Sequence, residues 1–319
     1  MSRQVSDTIN SSDSLQPLAT AVSQQTPLSA PDEIAPQRHL GRWTAAAVLL
    51  VLSALVAYTV FTNPNLNHRT IGHFLLSEAI LHGLTVTIEL AVISQAAGTL
   101  LGLIIALLRG SHNPVSRTVG SVYVWFFRGT PLLVQILIWG NFALFYKHIT
   151  IGIPGTSLVL ANYNTNHVLT TFVASLLALS LNEAAYMAEI IRSGLLSVDP
   201  GQREAARAMG LSPVQTLRKV VLPQALRVII PPSGNQFINM LKMTSLVSVI
   251  AGGDLLTQAE NISAANLRTM ELLIVASAWY LLVTTVASIG QALLERRFNR
   301  GHSPAGSDRF GQAWWRQPA

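Results

Sequence analysis

The chain has 319 residues, of which 50% are hydrophobic and only 11% are charged, and its mean hydropathy is +0.41. Soluble domains carry about a quarter charged residues, so this composition indicates an integral membrane protein rather than a soluble enzyme. The net charge of +6 does not indicate nucleic-acid binding, since no soluble basic face is available to carry it. The absence of cysteine excludes disulfide frameworks and thiolate metal sites, and no metal centre or cofactor is expected.

The N-terminal part of the chain differs in composition from the rest. Residues 1–42 are rich in Ser, Gln, Thr, Ala and Pro without hydrophobic periodicity, which predicts a disordered cytoplasmic tail. The apolar run at residues 43–62 is too long for the apolar region of a signal peptide and lacks a convincing cleavage site. We therefore predict an extra N-terminal transmembrane helix there.

Long apolar runs dominate the remaining sequence. Because an α-helix needs about 20 apolar residues to cross the hydrocarbon, six spanning helices are predicted. They lie at residues 43–61, 90–108, 129–146, 168–182, 228–253 and 272–294. None shows the strict alternation over about ten residues that is typical of a membrane β-barrel, so the fold class is an all-α integral membrane protein. Residues 296–319 are predicted to form a cytoplasmic tail.

A Gly-Thr-Pro sequence follows Arg128 and interrupts any helix that precedes it. We expect residues 119–127 to form an interfacial helix, with the next span beginning near Thr130. Arg128 is then expected to extend toward the lipid headgroups in a structural role.

Polar side chains inside the predicted spans form two stripes. Inserting a charged side chain at the centre of a spanning helix costs about 2.5–3.5 kcal/mol. Such residues are therefore expected to have a structural or functional role. Positions i, i+4 and i+7 lie on one helix face. One stripe is Asn182, Tyr186 and Glu189, with Glu183 beside it, and the other is Asn235, Asn239 and Lys242. These residues predict a polar translocation path, or alternatively helices whose polar groups satisfy one another, with Lys242 paired to Glu183 or Glu189.

The segment at residues 199–223 is too charged to span a bilayer. Its first four residues (DPGQ) indicate a helix start, with an aspartate N-cap, a proline at the first helical position and a glutamine placed to complete a capping box. Gly210 is expected to end this helix, and Ser212 begins a second start signal. Pro223 is expected to prevent a long continuation. The prediction is two short helices at an angle, available to a soluble partner.

The distribution of basic residues predicts the orientation in the membrane. With the N-terminus inside, sixteen of the 21 Lys and Arg residues fall in cytoplasmic segments and three fall outside. Positively charged loops remain cytoplasmic, so both termini and the segment at residues 199–223 are predicted to face the cytoplasm.

Several motifs carry a resemblance to a known family. The pattern of EAA, three residues, Gly, nine residues, an aliphatic residue, one residue and Leu-Pro begins at Glu204 and ends at Pro223. Four further strings are FFRGTPLLVQ (126–135), NEAAYMAEIIRSG (182–194), PQALRVIIPPSGNQFINMLK (223–242) and TSLVSVI (244–250). Over residues 80–295 the chain resembles the permease subunits of bacterial ABC-type importers of polar amino acids, the histidine, glutamine, arginine and opine permeases.

The resemblance implies a five-helix permease core at residues 80–295, with the helix at residues 43–62 as an addition. It implies a multi-pass protein of the bacterial inner membrane, a separate cytoplasmic ATPase subunit, an extracytoplasmic solute-binding protein and a second permease subunit, identical or related. The two polar stripes would then meet the ammonium and carboxylate of an amino acid. The residues implied in ATPase docking are Glu204, Ala205, Ala206, Arg207, Met209 and Gly210.

Two readings of this loop remain open. Glu204 and Arg207 lie three residues apart on a helix and are placed to pair with each other or with the ATPase. An amphipathic helix pair that lies on the inner leaflet is the alternative to docking. The sequence also departs from the family at Met243, where an aspartate that would neighbour Lys242 is common.

No catalytic motif accompanies these features. The chain has no phosphate-binding loop of the GxxxxGK[ST] type, no HExxH and no GxSxG, so an enzyme is not predicted. The alternative function is an ion-gradient-driven secondary transporter of amino acids, for which inverted repeats with paired broken helices would be typical.

Overall fold

A computed structural model of the protein describes residues 40–152 and 159–298, which are mainly helical. The helices are α1 (Leu40–Phe61), α2 (His68–Leu75), α3 (Glu78–Arg109), α4 (Pro114–Gly129), α5 (Leu132–Gly140), α6 (Thr165–Val168), α7 (Thr171–Leu196), α8 (Pro200–Ala208), α9 (Pro213–Thr216), α10 (Leu222–Met243), α11 (Leu255–Asn266) and α12 (Thr269–Phe298). The other elements are 3₁₀ helices at Phe142–Leu144 and Thr244–Ile250, a π-helix at Leu217–Val221, and strands β1 (His148–Gly152) and β2 (Val159–Asn164).

The chain divides into two units, residues 1–63 and 64–319, and α1 is the helix described in the first. The tails predicted at residues 1–42 and 296–319 lie almost wholly outside the described residues. Where these segments are described they are helical, since α1 begins at Leu40 and α12 continues to Phe298.

The second unit contains the apolar helices of the predicted permease core. By length and composition, α3, α7 and α12 are each able to cross a membrane. Two further segments are bent: α4 and α5 meet at 97°, and the helical run Pro213–Ile250 meets α11 at 44°. If each bent pair is one span, the described residues hold up to five, in agreement with a five-helix core.

The first of the six predicted spans, at residues 43–61, falls on α1. Its shorter apolar stretch, Trp43–Leu55, is below the about 20 residues that a span needs. Spanning by this helix therefore stays a prediction.

Helices α3 and α7 form the most extensive contact between helices of the described chain, and two glycines make it possible. A Cβ atom at Gly98 would lie 2.7 Å from the Glu183 side chain, and one at Gly102 would lie 2.7 Å from Met187 Cβ and 2.9 Å from the Ala184 carbonyl oxygen. Small residues four apart let two helix backbones approach closely, which is the means by which apolar helices pack without a hydrophobic driving force. The buried apolar clusters of the second unit extend from this contact along the bundle.

The expectation that Pro223 limits the second loop helix is wrong. Helix α9 continues through the π-helix into α10, which contains Pro223 in its first turn and Pro231 and Pro232 in its interior. In the π-helix the Leu222 N–H donates to the carbonyl of Leu217, five residues earlier. This wider turn accommodates a proline whose ring would otherwise meet the carbonyl four residues before it. The second helix of the loop is thus one end of a long continuous helix.

A β-hairpin was not predicted. Strands β1 and β2 pair antiparallel, with His148 opposite Asn164 and Ile149 opposite Tyr163. The sequence carried a signal for it, since β-branched residues flank a Pro-Gly pair at positions 154–155. The hairpin is an addition to a helical fold and does not alter its class.

The tight α3–α7 contact leads to a prediction about stability. Alanine in place of glycine normally stabilises a helix interior by about 0.5–1 kcal/mol, but at Gly102 the new methyl group meets backbone atoms, and such overpacking costs about 1–3 kcal/mol. At Gly290 on α12 no atom lies within 4 Å of the added Cβ. We expect Gly102→Ala to lower the thermal midpoint of the purified protein, and Gly290→Ala to leave it unchanged or raise it. Equal midpoints for the two variants would contradict the close approach of α3 to α7.

Candidate functional site

A polar cavity of about 540 Å³ lies where α4 ends, α5 begins, and α7 and α10 face one another. Its lining residues are Arg128, Gly129, Thr130, Pro131, Leu132, Asn182, Glu183, Tyr186, Gln236, Asn239, Met240 and Met243. Four residues predicted from the two stripes are therefore brought together in one cavity: Asn182, Glu183, Tyr186 and Asn239.

The break between α4 and α5 forms one wall of this cavity. A helix end leaves carbonyl groups without intrahelical partners, and inside a bundle these need other donors. The buried Gln135 side chain donates from Nε2 to the carbonyls of Phe127 and Thr130, both at 3.1 Å. Asn182 Nδ2 donates to the Phe127 carbonyl at 3.0 Å and to Gln135 Oε1 at 3.3 Å. Asn182 thus holds the broken helix against α7 as well as lining the cavity.

Glu183 is a buried carboxylate that joins three helices. Its exposed fraction is 3%. Oε1 accepts a hydrogen bond from Gln95 Nε2 of α3 at 3.1 Å, and Oε2 accepts one from Gln236 Nε2 of α10 at 3.2 Å. Both amides are neutral, and no basic side chain of the described chain forms an ion pair with this carboxylate.

Glu189 lies two turns along α7 and is surrounded by arginines. Its carboxylate oxygens lie 2.5 Å from Arg109 Nη1, 3.1 Å from Arg192 Nε and 3.7 Å from Arg128 Nη1. The Arg128 guanidinium also lies 5.2 Å from the centroid of the Tyr186 ring, a cation–π distance. One carboxylate for three guanidinium groups leaves a local excess of positive charge beside the cavity.

The predicted position of Arg128 at the lipid headgroups is wrong. The helix ends at Gly129 and the chain turns by 97°, so that the side chain points to α7 and lines the cavity. Arg128 was expected to have a structural role, and its place in the cavity was not predicted, although a charged residue directly before a Gly-Thr-Pro break was the available signal.

The face of α10 that lines the cavity is one residue away from the predicted stripe. Gln236, Asn239, Met240 and Met243 line it, whereas Asn235 and Lys242 are exposed and do not. Gln236 was missed because Asn235 gave the more regular spacing. The alternative in which Lys242 pairs with Glu183 or Glu189 is also wrong, since those carboxylates are engaged by Gln95, Gln236 and arginines.

The loop helices α8 and α9 begin and turn largely as predicted. Asp199 caps α8 by accepting from the Gly201 N–H, but Gln202 forms no capping box in this part of the chain, because its N–H donates to the Asp199 carbonyl. Ser212 and Gln215 do form a reciprocal capping box at α9. Gly210 has φ of +77°, a left-handed conformation that favours glycine.

Gly210 and its neighbours form a Schellman motif. The Leu211 N–H donates to the Ala206 carbonyl at 3.1 Å, and the Gly210 N–H donates to the Arg207 carbonyl at 2.9 Å. Ala206 is 1% exposed, so it lies on the buried side of α8 and not on its outer surface. The turn between the two helices is therefore fixed by backbone hydrogen bonds.

The opposite side of the loop presents the α8–α9 surface, which we define as Glu204, Ala205, Arg207, Met209 and Val214. All five are exposed, and Met209 and Val214 are each 73% exposed. Glu204 and Arg207 form no ion pair within the described chain, so the predicted pairing with each other is not formed. An exposed methionine and valine flanked by free opposite charges form a small surface suited to contact with another protein.

Comparison with known proteins agrees with this architecture. Residues 98–300 match the family described as binding-protein-dependent transport system inner membrane component. The chain is 39% identical to the arginine transport system permease protein ArgU of Corynebacterium glutamicum, over 85% of this chain and 84% of the relative. It is 39% identical to the L-cystine transport system permease protein TcyB of Bacillus subtilis, over 68% of this chain and 86% of the relative. It is 37% identical to the octopine transport system permease protein OccM of Rhizobium radiobacter, over 70% of this chain and 89% of the relative.

Solved structures share the fold. The crystal structure of an amino acid ABC transporter with histidines matches with a TM-score of 0.59 and 38% identity, over 69% of this chain and 94% of that one. The MetNI methionine ABC transporter in an inward-facing conformation matches with a TM-score of 0.53 and 19% identity, over 70% of this chain and 100% of that one. A match at this identity supports the fold alone. The chain belongs to the family of binding-protein-dependent transport system inner membrane components.

Proposed function

We propose that this protein is the permease subunit of an ATP-driven amino acid importer and that it forms the translocation path. The observation that carries the proposal is the continuous helix from α9 through the π-helix to α10, which joins the exposed α8–α9 surface to the wall of the polar cavity. A movement imposed on that surface is transmitted to the residues that line the cavity. Neither ATP binding nor hydrolysis is assigned to this chain.

The chemistry of the cavity supports a zwitterionic substrate. The Arg128 guanidinium presents several donors for a carboxylate, and the Glu183 carboxylate with its flanking amides accepts from an ammonium group. Asn182 and Asn239 supply further hydrogen bonds. The names of the relatives fit this class of substrate, since they include arginine, glutamine, L-cystine and octopine permeases. We therefore assign the cavity to the backbone groups that amino acids share.

The α8–α9 surface is proposed to dock on a separate cytoplasmic ATPase subunit. Met209 and Val214 supply apolar contacts, and the flexible methionine side chain suits an irregular pocket. Glu204 and Arg207 are available for ion pairs with the partner. A helix pair lying on the inner leaflet would instead need a broad apolar face, and this surface carries two opposite charges beside its apolar residues.

Further partners follow from the faces that remain. The exposed Asn235 and Lys242 side chains of α10 are proposed to face the translocation path opposite a second permease subunit, identical or related. A solute-binding protein is proposed to contact the extracytoplasmic surface, where the charge bias places the β1–β2 hairpin and α11. The same bias supports a cytoplasmic position for both termini.

Reconstituted proteoliposomes test the proposed function. Uptake of labelled amino acids should require the cognate ATPase, the binding protein and ATP, with the ATP on the side of the membrane that carries the ATPase. Uptake by this subunit alone, driven by an imposed ion gradient, would establish the secondary transporter instead.

Met209→Asp tests the docking surface. The side chain is 73% exposed and is outside the buried core, so the thermal midpoint should not change, while a carboxylate placed in an apolar contact should reduce ATPase co-purification at least tenfold, about 1.4 kcal/mol. Val115→Asp is the matched control, since Val115 is 69% exposed at the first turn of α4, where a carboxylate is favourable. Unaltered co-purification with Met209→Asp would place the ATPase elsewhere.

Arg128→Gln tests the cavity. Losing a charge-assisted hydrogen bond costs about 1.5–3 kcal/mol, so we expect uptake efficiency to fall roughly 10- to 100-fold while ATPase binding is retained. Arg117→Gln removes an exposed arginine from the same helix, away from the cavity, and should transport normally. The assignment fails if both variants transport alike in vesicles of equal permease content.

Lys242→Ala separates passage from assembly. Because Lys242 is exposed and forms no ion pair within the described chain, its loss should leave the thermal midpoint and the ATPase contact unchanged. We expect a several-fold lower uptake rate in the same proteoliposomes. Normal uptake would remove Lys242 from the path.

A further inference from the structure

A second and larger groove lies on the other side of α10. It has a volume of about 790 Å³ between α3, α7, α10 and α12, and its walls are mostly leucine and isoleucine side chains, with Phe237 at one end. Along α3 the groove extends from Gln95 to Leu107. Twelve residues of helix rise about 18 Å, close to the roughly 15 Å depth of one leaflet of the hydrocarbon.

This groove continues into a basic pocket at the end of the bundle that carries α8 and α9. The pocket has a volume of about 400 Å³ and shares Leu107, Leu195 and Leu217 with the groove. Three arginines line it, Arg192, Arg203 and Arg207, and no acidic side chain does. Glu189 engages Arg192 from α7, whereas Arg203 and Arg207 form no ion pair in the described chain.

Two buried polar groups of the basic pocket lack partners. The Thr216 side chain is 6% exposed, and its Oγ1 forms no hydrogen bond. The Nε of Arg203 is buried and unpaired, while its Nη2 donates to the Leu195 carbonyl at 2.5 Å. A buried polar group without a hydrogen-bond partner is destabilising, so a ligand rich in acceptor oxygens would satisfy both groups.

We propose that the groove and the basic pocket together bind one anionic glycerophospholipid. Its phosphate contacts Arg203 and Thr216, and an acyl chain occupies the apolar groove. The charge bias of the sequence places the pocket at the cytoplasmic leaflet, where anionic lipids are attracted to basic residues between helices. The site is distinct from the amino acid cavity, and it does not depend on the transport function proposed above.

The lipid would also contact both halves of the loop. Arg203 belongs to α8 and Thr216 belongs to α9, while the groove is walled by the membrane helices. A bound phospholipid therefore braces the loop against α3 and α7. Lipid composition becomes a regulator of the loop position.

Native mass spectrometry of the full chain tests the proposal. The protein is purified in a neutral detergent and equilibrated with mixed micelles of phosphatidylglycerol and phosphatidylcholine in equal amounts. We expect one retained phosphatidylglycerol per chain, favoured at least tenfold over phosphatidylcholine. Equal retention of the two lipids would show an ordinary annular contact and overturn the proposal.

Two variants locate the bound lipid. Gly290 lines the groove with open space beyond its Cβ, so Gly290→Phe should fill the groove and reduce phosphatidylglycerol retention at least tenfold. Gly72→Phe is the control, because Gly72 on α2 also has open space but lies outside the groove. Equal retention by the two variants would contradict the acyl-chain position.

Thr216→Val tests the headgroup contact without loosening the fold. Replacing a buried, unpaired hydroxyl by a methyl group should preserve or raise the thermal midpoint of the lipid-free protein, while it should reduce phosphatidylglycerol retention several-fold. Retention unchanged by Thr216→Val would remove the phosphate from this pocket. Inorganic phosphate is the final competitor: if it displaces the lipid at millimolar concentration, the pocket is a simple anion site and the proposal fails.

Discussion

The close approach of α3 to α7 is the contact on which the site depends. Gly98 and Gly102 remove the side chains that would hold the two backbones apart, and the Gln95 amide then reaches the Glu183 carboxylate. A carboxylate inside a membrane bundle is costly unless hydrogen bonds satisfy it. Here one amide comes from the neighbouring helix α3, and the other, Gln236, comes from α10. The same buried group thus stabilises the scaffold and links it to the helix that continues into the loop.

The broken helix supplies the second half of the cavity. Ending α4 inside the bundle frees carbonyl groups, and the side chains of Gln135 and Asn182 satisfy them. The same break turns Arg128 toward Tyr186 and Glu189. Because Glu189 also holds Arg109 and Arg192, its negative charge is shared and Arg128 keeps donors for another anion. A polar cavity with opposite charges on separate walls results from local hydrogen-bond requirements.

The sequence predicted features that depend on local backbone geometry. It did not predict features that depend on the direction in which a helix face or a chain segment points. Ser212 and Gly210 predicted a cap and a left-handed turn because each acts through its own backbone. Periodicity placed Asn235 and Asn239 on one face, but it could not say that Gln236 lies nearer the cavity. Arg128 was misplaced because sequence does not show which way a broken helix turns. The predicted helix end at Pro223 was wrong because the rule that proline breaks a helix assumes α-helical hydrogen bonds. In this stretch a π-helical hydrogen bond replaces them.

The π-helix at Leu217–Val221 also sets the rotational phase between the two ends of the long helix. One inserted or deleted residue turns everything beyond it by about 100°, which would exchange the cavity-facing side of α10 for another. The number of residues in this stretch is consequently fixed by geometry, even where the side chains themselves are free to vary. The residue count of the π-helix therefore determines which face of α10 meets the cavity, whichever amino acids occupy the stretch.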